Sequence, residues 1–212
     1  MTGGCTTATP APSEPPLNAG QLATRASQAS APDAPYRIVF EWSLTEPSMR
    51  LQGRGVARIE PPYRARLDLF SRSGDRVTAA ALVDGELRLP EGMPEYLPPP
   101  TLFWGALGVF RPDRGMALGG GSWRPDGTAE LRYLPGPEEE LTIRLSETAI
   151  REILVARGGR TTQELRVTRA EGERFPRETV YRDLTRTREL RMTVESVEHV
   201  ESYPSDVWTP RR

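Results

Sequence analysis

The chain has 212 residues, with 28 basic side chains against 29 acidic ones and a formal net charge of −1. This length suits one domain plus a tail, and the near-zero charge argues against nucleic acid as a partner, because phosphate backbones are bound by concentrated positive charge. Every basic residue is an arginine, which excludes lysine-based catalysis. The single cysteine and single histidine exclude an intrachain disulfide and a Cys/His zinc site within one chain.

Residues 1–34 are predicted to hold a lipidation site and a disordered linker. From Thr6 to Pro35 the chain is rich in Ala, Thr, Ser and Pro, so it lacks the apolar surface that would offset its ordering entropy. We expect a flexible tether there, with at most a weak helix in "AGQLATRASQASA", since no apolar stripe supports one. The stretch "TGGC", ending at Cys5, resembles the end of a bacterial lipobox, which implies a lipid on Cys5 that anchors the chain to a membrane. An incidental free thiol is the alternative.

Short segments of alternating polarity, separated by turn residues, fill residues 35–212. In "RLQGRGVARIE", Leu51 and Ile59 share one face, while arginine and glutamate take the other, and "ELTIRLSE" repeats the pattern. Such segments predict a mainly β, antiparallel domain of about 10–11 strands, apolar on one face and solvated on the other. Gly53 and Gly55 leave little side-chain volume on the inner face of the early strands. We therefore expect a curved sheet whose concave side is filled by another element.

The expected filler is the apolar segment "LFWGALGVF", residues 102–110. Thr101 is predicted to cap a helix there, and Pro112 is predicted to end it. Because this helix is apolar on all sides, it must be buried or must meet lipid. Two interpretations stay open: a plug that completes the core, or a movable lid over a cavity for acyl chains.

We predict no catalytic set, cofactor or metal site. His199 lies in the strand-like "SVEHVES" and is expected to face solvent, and no "GxSxG" motif accompanies it. The run "PEEEL" is expected to be a solvated loop rather than a metal site. Two carboxylates that converge in a cleft, as in an envelope hydrolase, are the enzymatic alternative left open.

The layout of the chain resembles the LolA/LolB-type lipoprotein carriers. The resemblance rests on an N-terminal cysteine and spacer, then the strands of "GRGVARIEPPYRARLDLFSRSGDRVTAAALVDGELRL", then "PPPTLFWGALG", then more strands ending at "SYPSDVWTP". It implies an unclosed β half-barrel whose hydrophobic cavity is covered by helices. It also implies a non-enzymatic envelope lipoprotein, anchored at the outer membrane facing the periplasm, that binds acyl chains of lipids or lipoproteins and meets a carrier protein.

The cavity contacts implied by this resemblance come from the apolar segment and from the sheet. They are Leu102, Phe103, Trp104, Leu107 and Phe110 from the segment, and Leu51, Ile59, Leu67, Leu69, Ile143 and Leu145 from the strands. The alternative function is a membrane-anchored structural or protein-interaction domain with a packed core. A closed interior beneath the apolar segment favours that alternative.

Overall fold

The structure is a computed structural model, and it describes residues 17–90 and 96–210. The strands are β1 (Tyr36–Glu46), β2 (Met49–Glu60), β3 (Arg64–Ser71), β4 (Arg76–Val83), β5 (Glu86–Arg88), β6 (Ala117–Trp123), β7 (Ala129–Gly136), β8 (Glu139–Ser146), β9 (Ala149–Arg157), β10 (Arg160–Thr168), β11 (Glu178–Asp183) and β12 (Arg188–His199). The helices are α1 (Ala19–Ser30), α2 (Pro100–Ala106) and a 3₁₀ helix (Ser205–Trp208). None of the helices in these ranges has the length and apolarity to cross a membrane.

All twelve strands belong to one antiparallel sheet, in the order β5-β4-β3-β2-β1-β12-β11-β10-β9-β8-β7-β6. The first and last strands, β1 and β12, therefore lie side by side at its centre. The two edges are β5 and β6, which follow one another along the chain and do not pair, so the sheet stays open. The connection between them contains α2 and must cross the open mouth. The prediction of a mainly β, antiparallel, open half-barrel is confirmed.

Alternating burial sets the two faces of the sheet. In β1 the side chains of Ile38, Phe40, Trp42 and Leu44 are buried, while those between them are partly or fully exposed. On the outer face, ion pairs run from strand to strand. Their members are Arg124, Glu130, Arg144, Glu152, Arg166, Glu164, Arg182, Glu189, Arg191 and Glu178. Exposed pairs of this kind contribute about 0.2–1 kcal/mol each, so the inner face supplies most of the stability.

The strand count differs from the prediction of about 10–11 because β6 was not recognised. Its sequence, "ALGGGSW", contains three consecutive glycines, which have low strand propensity. Pairing with β7 and packing against α1 hold it in the sheet. A Cβ at Gly121 would lie 2.8 Å from the carbonyl oxygen of Glu130 in β7 and 3.0 Å from Cδ2 of Leu17, which precedes α1, so the close approach of the β7 backbone requires glycine.

Helix α1 lies within the stretch that was predicted to be a flexible tether, so that prediction is wrong for residues 19–30. The Asn18 side chain caps the helix by accepting a backbone hydrogen bond at 3.0 Å. Leu22 and Ala26, four residues apart on one side of the helix, are buried in the core. Two inward-facing side chains are thus enough to stabilise this helix when it packs against the edge of a sheet. Residues 1–16 lie outside the described residues, and the linker there stays a prediction.

The 3₁₀ helix near the C-terminus covers part of the outer face. Trp208 is buried there with Ala81 and Val83 of β4. The Arg66 guanidinium donates a hydrogen bond to the Val207 carbonyl oxygen at 2.7 Å. The 3₁₀ helix therefore packs on the outer face of the sheet and does not cover the open side of the half-barrel.

Candidate functional site

Helix α2 is shorter than predicted and begins differently. It spans Pro100–Ala106, with Pro100 in its first turn, where a missing N–H costs nothing. The residue at the N-cap position is Pro99, which makes no side-chain cap. The predicted cap, Thr101, lies inside the helix instead and is buried, at 3% exposure. The three prolines that precede Thr101 fix the entry of the chain, so a capping side chain is not needed.

The helix ends well before Pro112, at a glycine turn. Gly108 has a φ of +79°, its N–H donates to the Gly105 carbonyl oxygen at 2.9 Å, and the Val109 N–H donates to the Trp104 carbonyl oxygen at 2.9 Å. This pair of bonds is a Schellman motif, which needs a left-handed residue at the position of Gly108. The sequence "LFWGALGVF" is therefore one and a half turns of helix followed by a C-cap rather than a continuous helix.

Helix α2 lies flat on the inner face of the sheet. A Cβ at Gly105 would lie 2.5 Å from Ile153 Cδ1 in β9 and 2.8 Å from Leu165 Cδ2 in β10. Leu102, Phe103 and Trp104 are at most 3% exposed. The helix has no polar face, and its side chains are buried between the sheet and the neighbouring segments.

Few polar contacts hold the segment that follows α2. The Phe110 N–H donates to Ser30 Oγ of α1 at 2.8 Å. The Arg111 guanidinium carbon lies 3.7 Å from the ring centroid of Tyr63 and 5.7 Å from that of Trp104. Burial lowers the pKa of the Arg111 guanidinium. These contacts hold the apolar segment to α1 and to the turn between β2 and β3, and the Arg169 guanidinium donates a longer hydrogen bond to the Gly108 carbonyl oxygen at 3.4 Å.

An apolar cavity lies beneath the C-terminal half of α2, with a volume of about 10 Å³. We call it the inner cavity. It is lined by Leu67, Leu97, Pro98, Phe103, Ala106, Leu107, Thr179, Tyr181, Leu190 and Met192. Ligand pockets generally measure about 300–1,000 Å³, and about 10–15 Å³ is the least that holds one water molecule. The interior is therefore nearly closed in this conformation.

A second depression, of about 270 Å³, lies beside the N-terminal half of α2. We call it the rim hollow. Its polar walls come from Thr101 of α2, Asp113 after it, Glu139 of β8 and Gln163 of β10. Burial raises the pKa of the Asp113 carboxyl, and the neighbouring Thr101 hydroxyl and Arg111 charge oppose that rise without cancelling it.

The eleven predicted contact residues all belong to the core or pack against it. Leu67, Phe103 and Leu107 line the inner cavity, and Leu102 lines the rim hollow. The other seven are buried elsewhere in the core, except Leu51, which is partly buried. They are Leu51, Ile59, Leu69, Trp104, Phe110, Ile143 and Leu145.

Sequence reasoning missed the wall of the inner cavity that β11 and β12 provide. Thr179 pairs with Met192, and Tyr181 pairs with Leu190, so the four side chains lie together on the inner face under α2. Period-2 alternation in "TVYRD" and "ELRMT" identifies the face. Only the strand order identifies which strands lie beneath the helix.

Two carboxylates line the rim hollow, those of Asp113 and Glu139, and Glu139 is ion-paired with Arg157. Within 17–90 and 96–210, no group of three or more His, Cys, Asp or Glu side chains is placed to hold a metal ion. His199 is exposed on β12, as expected, and its ring lies edge-on to Tyr36 with the centroids 5.9 Å apart. The imidazole contacts an aromatic ring on the sheet surface, away from both depressions.

Two solved structures share the overall fold of this chain, and a third gives a lower score. A LolA superfamily protein from Nitrosomonas europaea matches with a TM-score of 0.58 and 12% identity, over 92% of this chain and 98% of that chain. A DUF1329 family protein from Desulfovibrio piger matches with a TM-score of 0.51 and 7% identity, over 90% and 95%. A domain described as an outer membrane lipoprotein-sorting protein from Vibrio parahaemolyticus gives 0.49 and 9%, over 90% and 97%.

No protein-family model and no curated protein sequence matches the chain. The class is defined by the fold of this chain: a single antiparallel sheet that does not close, with a buried apolar helix against its inner face. Within that class the fold is LolA/LolB-like, as the layout of the sequence predicted. At 7% to 12% identity the likeness extends to the fold and not to the ligand or role.

Proposed function

We propose that this protein is a non-enzymatic lipoprotein of the bacterial envelope that binds acyl chains of lipids or lipoproteins beneath α2. One observation carries the proposal: an apolar helix lies across the mouth of an open half-barrel and directly over an apolar cavity. The space is too small for an acyl chain in the present conformation. Binding therefore requires α2 to move, so that the ligand takes the place of its side chains.

The energies of this exchange are comparable. Burial of a large apolar side chain contributes about 1.5–3 kcal/mol, so withdrawing Leu102, Phe103, Trp104 and Leu107 costs about 6–12 kcal/mol. A saturated chain of about 16 carbons gains about 13 kcal/mol at about 0.8 kcal/mol per CH₂. An incoming acyl chain can thus offset the displacement of α2, whereas a short apolar molecule cannot.

Two structural details support α2 as the moving element. The helix has only seven residues, and a helix of that length is not stable in water without packing. Gly108 supplies a turn at the C-terminal end, and the extended residue Pro99 precedes the helix at the other end. A short helix that belongs to no strand pair can leave its place without breaking the pairing of any strand.

The membrane anchor remains part of the proposal. Cys5 lies outside the described residues, and its lipidation rests on the "TGGC" sequence that resembles a lipobox. Two or more acyl chains on one cysteine would give stable anchoring, since a single chain binds a bilayer only marginally. The periplasmic face of the outer membrane, and exchange of cargo with a carrier protein, follow from the same resemblance.

Native mass spectrometry of protein extracted from membranes tests the proposal. We expect a covalent lipid mass on Cys5, a separate non-covalent lipid, and uptake of a fluorescent fatty-acid probe by the delipidated protein. An unmodified Cys5 would refute the anchor. Failure to carry lipid and to take up the probe would refute acyl-chain binding.

The closed interior favours a second candidate function, an anchored protein-interaction domain. A volume of about 10 Å³ is that of a packed core. A groove of about 600 Å³ on the surface between the loop before β11 and the strand β12, lined in part by Phe175 and Val197, is the natural place for a partner. This function is favoured if the probe fails to bind while a partner protein co-purifies.

A further inference from the structure

The rim hollow has buried polar atoms whose hydrogen bonds are missing or poorly aligned. Thr101 is 3% exposed, and its Oγ1 makes no well-aligned hydrogen bond among the described residues, although it lies close enough to the Asp113 carboxylate to lower the pKa of that group. Oε1 of Gln163 on the facing strand is buried and has no hydrogen-bond partner among the described residues. An unpaired buried polar atom costs about 1–3 kcal/mol, so these two atoms in one hollow indicate a place where another molecule supplies better hydrogen bonds.

The charges around the hollow nearly cancel. Its lining contains the carboxylates of Asp113 and Glu139 and no basic side chain. Glu139 is ion-paired with Arg157, and Asp113 feels the charge of Arg111. The paired carboxylates leave little net charge to attract a cation, and no basic side chain lines the hollow to pair with an anion. The hollow is therefore suited to an uncharged group that donates hydrogen bonds.

The hollow lies next to the proposed path of the acyl chain. Leu102 lines the rim hollow, and the next residue, Phe103, lines the inner cavity. The two spaces are on either side of α2. A ligand whose chain enters beneath α2 would keep its polar end within reach of Thr101.

We propose that the rim hollow binds the hydroxyl-bearing head of a neutral acyl lipid, of the acylglycerol class, through Thr101, Gln163 and Asp113. This inference rests on the proposed acyl-chain function and specifies its ligand. The glycerol hydroxyls donate to the amide oxygen of Gln163 and to the Asp113 carboxylate. The Thr101 hydroxyl, which can donate or accept, completes the set.

Competition for a fluorescent fatty-acid probe at neutral pH tests this, with three competitors of equal chain length: monooleoylglycerol, oleate and oleylamine. We expect monooleoylglycerol to bind about tenfold more tightly than oleate or oleylamine, from two or more additional hydrogen bonds. Equal affinities, or tighter binding of oleate or oleylamine, would overturn the proposal. If none of the three binds, the proposed function fails as well, so the two failures are distinguishable.

A pair of matched variants localises the effect. Thr101→Val keeps the shape of the side chain and is expected to weaken monooleoylglycerol about threefold to tenfold while leaving oleate unchanged. Thr78→Val is the control, because Thr78 is also fully buried with an unpartnered Oγ1 but lies in β4, away from the hollow. Its affinities should match those of the wild type. Equal weakening of both ligands by Thr101→Val would overturn the proposal.

The stability of Thr101→Val gives an independent readout. Because the hydroxyl makes only a poorly aligned contact with the Asp113 carboxylate in the ligand-free protein, its removal should change the melting temperature little. If Thr101→Val nevertheless fails to fold, Gln163→Met supplies the same test, with the same selective loss of monooleoylglycerol expected. If both variants keep the wild-type preference for monooleoylglycerol, the assignment is contradicted.

Discussion

Leu107→Ala separates the packing role of the apolar segment from its proposed role as a lid. Leu107 follows α2 as its C-cap residue, is 3% exposed and lines the inner cavity. Truncation would enlarge a space that now measures about 10 Å³. It changes no polar contact, so its effects come from packing alone.

The magnitude follows from the cost of a cavity in the core. Replacing a buried leucine by alanine costs about 2–5 kcal/mol, and we expect about 3 kcal/mol for Leu107→Ala. If ligand binding requires α2 to move away from the sheet, the wild type must give up the packing of Leu107 to open. The alanine variant lacks that packing, so its opening costs about 3 kcal/mol less. The population of the open form then rises, and the affinity for an acyl chain increases by up to about a hundredfold, because about 1.4 kcal/mol corresponds to a factor of ten and about 3 kcal/mol to about a hundred.

The assay combines urea unfolding with titration of a fluorescent fatty-acid probe. Leu131→Ala is the matched control, since Leu131 of β7 is fully buried and lines neither depression. Both variants should lose stability, and only Leu107→Ala should bind the probe more tightly than the wild type. Equal or weaker binding by Leu107→Ala, in parallel with its lost stability, would refute a movable lid.

Three further changes probe the surroundings of α2 and the outer face. Gly108→Ala places a side chain at a φ of +79°, so the urea midpoint should fall by an amount equivalent to about 1–2 kcal/mol. Ser30→Ala removes the acceptor of the Phe110 N–H, and hydrogen exchange by NMR should show that amide exchanging faster than in the wild type. Burial raises the pKa of Glu130, but hydrogen bonds from Arg144 and a second arginine outweigh it, and the net pKa is lowered. The stability that this ion pair provides is therefore present above the usual glutamate pKa of about 4.3 and lost as the pH falls through the lower folded-state value. Thermal unfolding of Glu130→Gln should be less sensitive to acid than that of the wild type, and equal sensitivity would contradict this assignment.

The sheet was largely predictable because its pattern is local. Strict alternation, as in "RLQGRGVARIE", specifies both a strand and its inward face without knowledge of its neighbours. β6 was missed because Gly119, Gly120 and Gly121 carry no side chains from which an alternation can be seen. α1 was missed because its two buried residues, Leu22 and Ala26, count as a stripe only when the edge of a sheet lies against them.

The candidate site was less predictable because it depends on contacts between distant parts of the chain. The apolar character of "LFWGALGVF" indicates burial, but the end of α2 depends on the turn at Gly108. The participation of Thr179 and Tyr181 depends on β11 lying beneath α2, which only the strand order determines. Thr101 was expected to cap a helix, and its place in the wall of the rim hollow follows from the prolines before it.

Hydrogen–deuterium exchange of the full chain, with and without saturating monooleoylglycerol, tests the central claim most directly. The informative amides are those of Phe103, Leu107 and Val109, which are hydrogen-bonded within α2 and its C-cap. We expect bound lipid to accelerate exchange at these amides, while the paired amides of β1 and β12 stay protected. Bound lipid with unchanged or slower exchange across α2 would contradict a movable helix, and a failure to bind any lipid would contradict the proposed function.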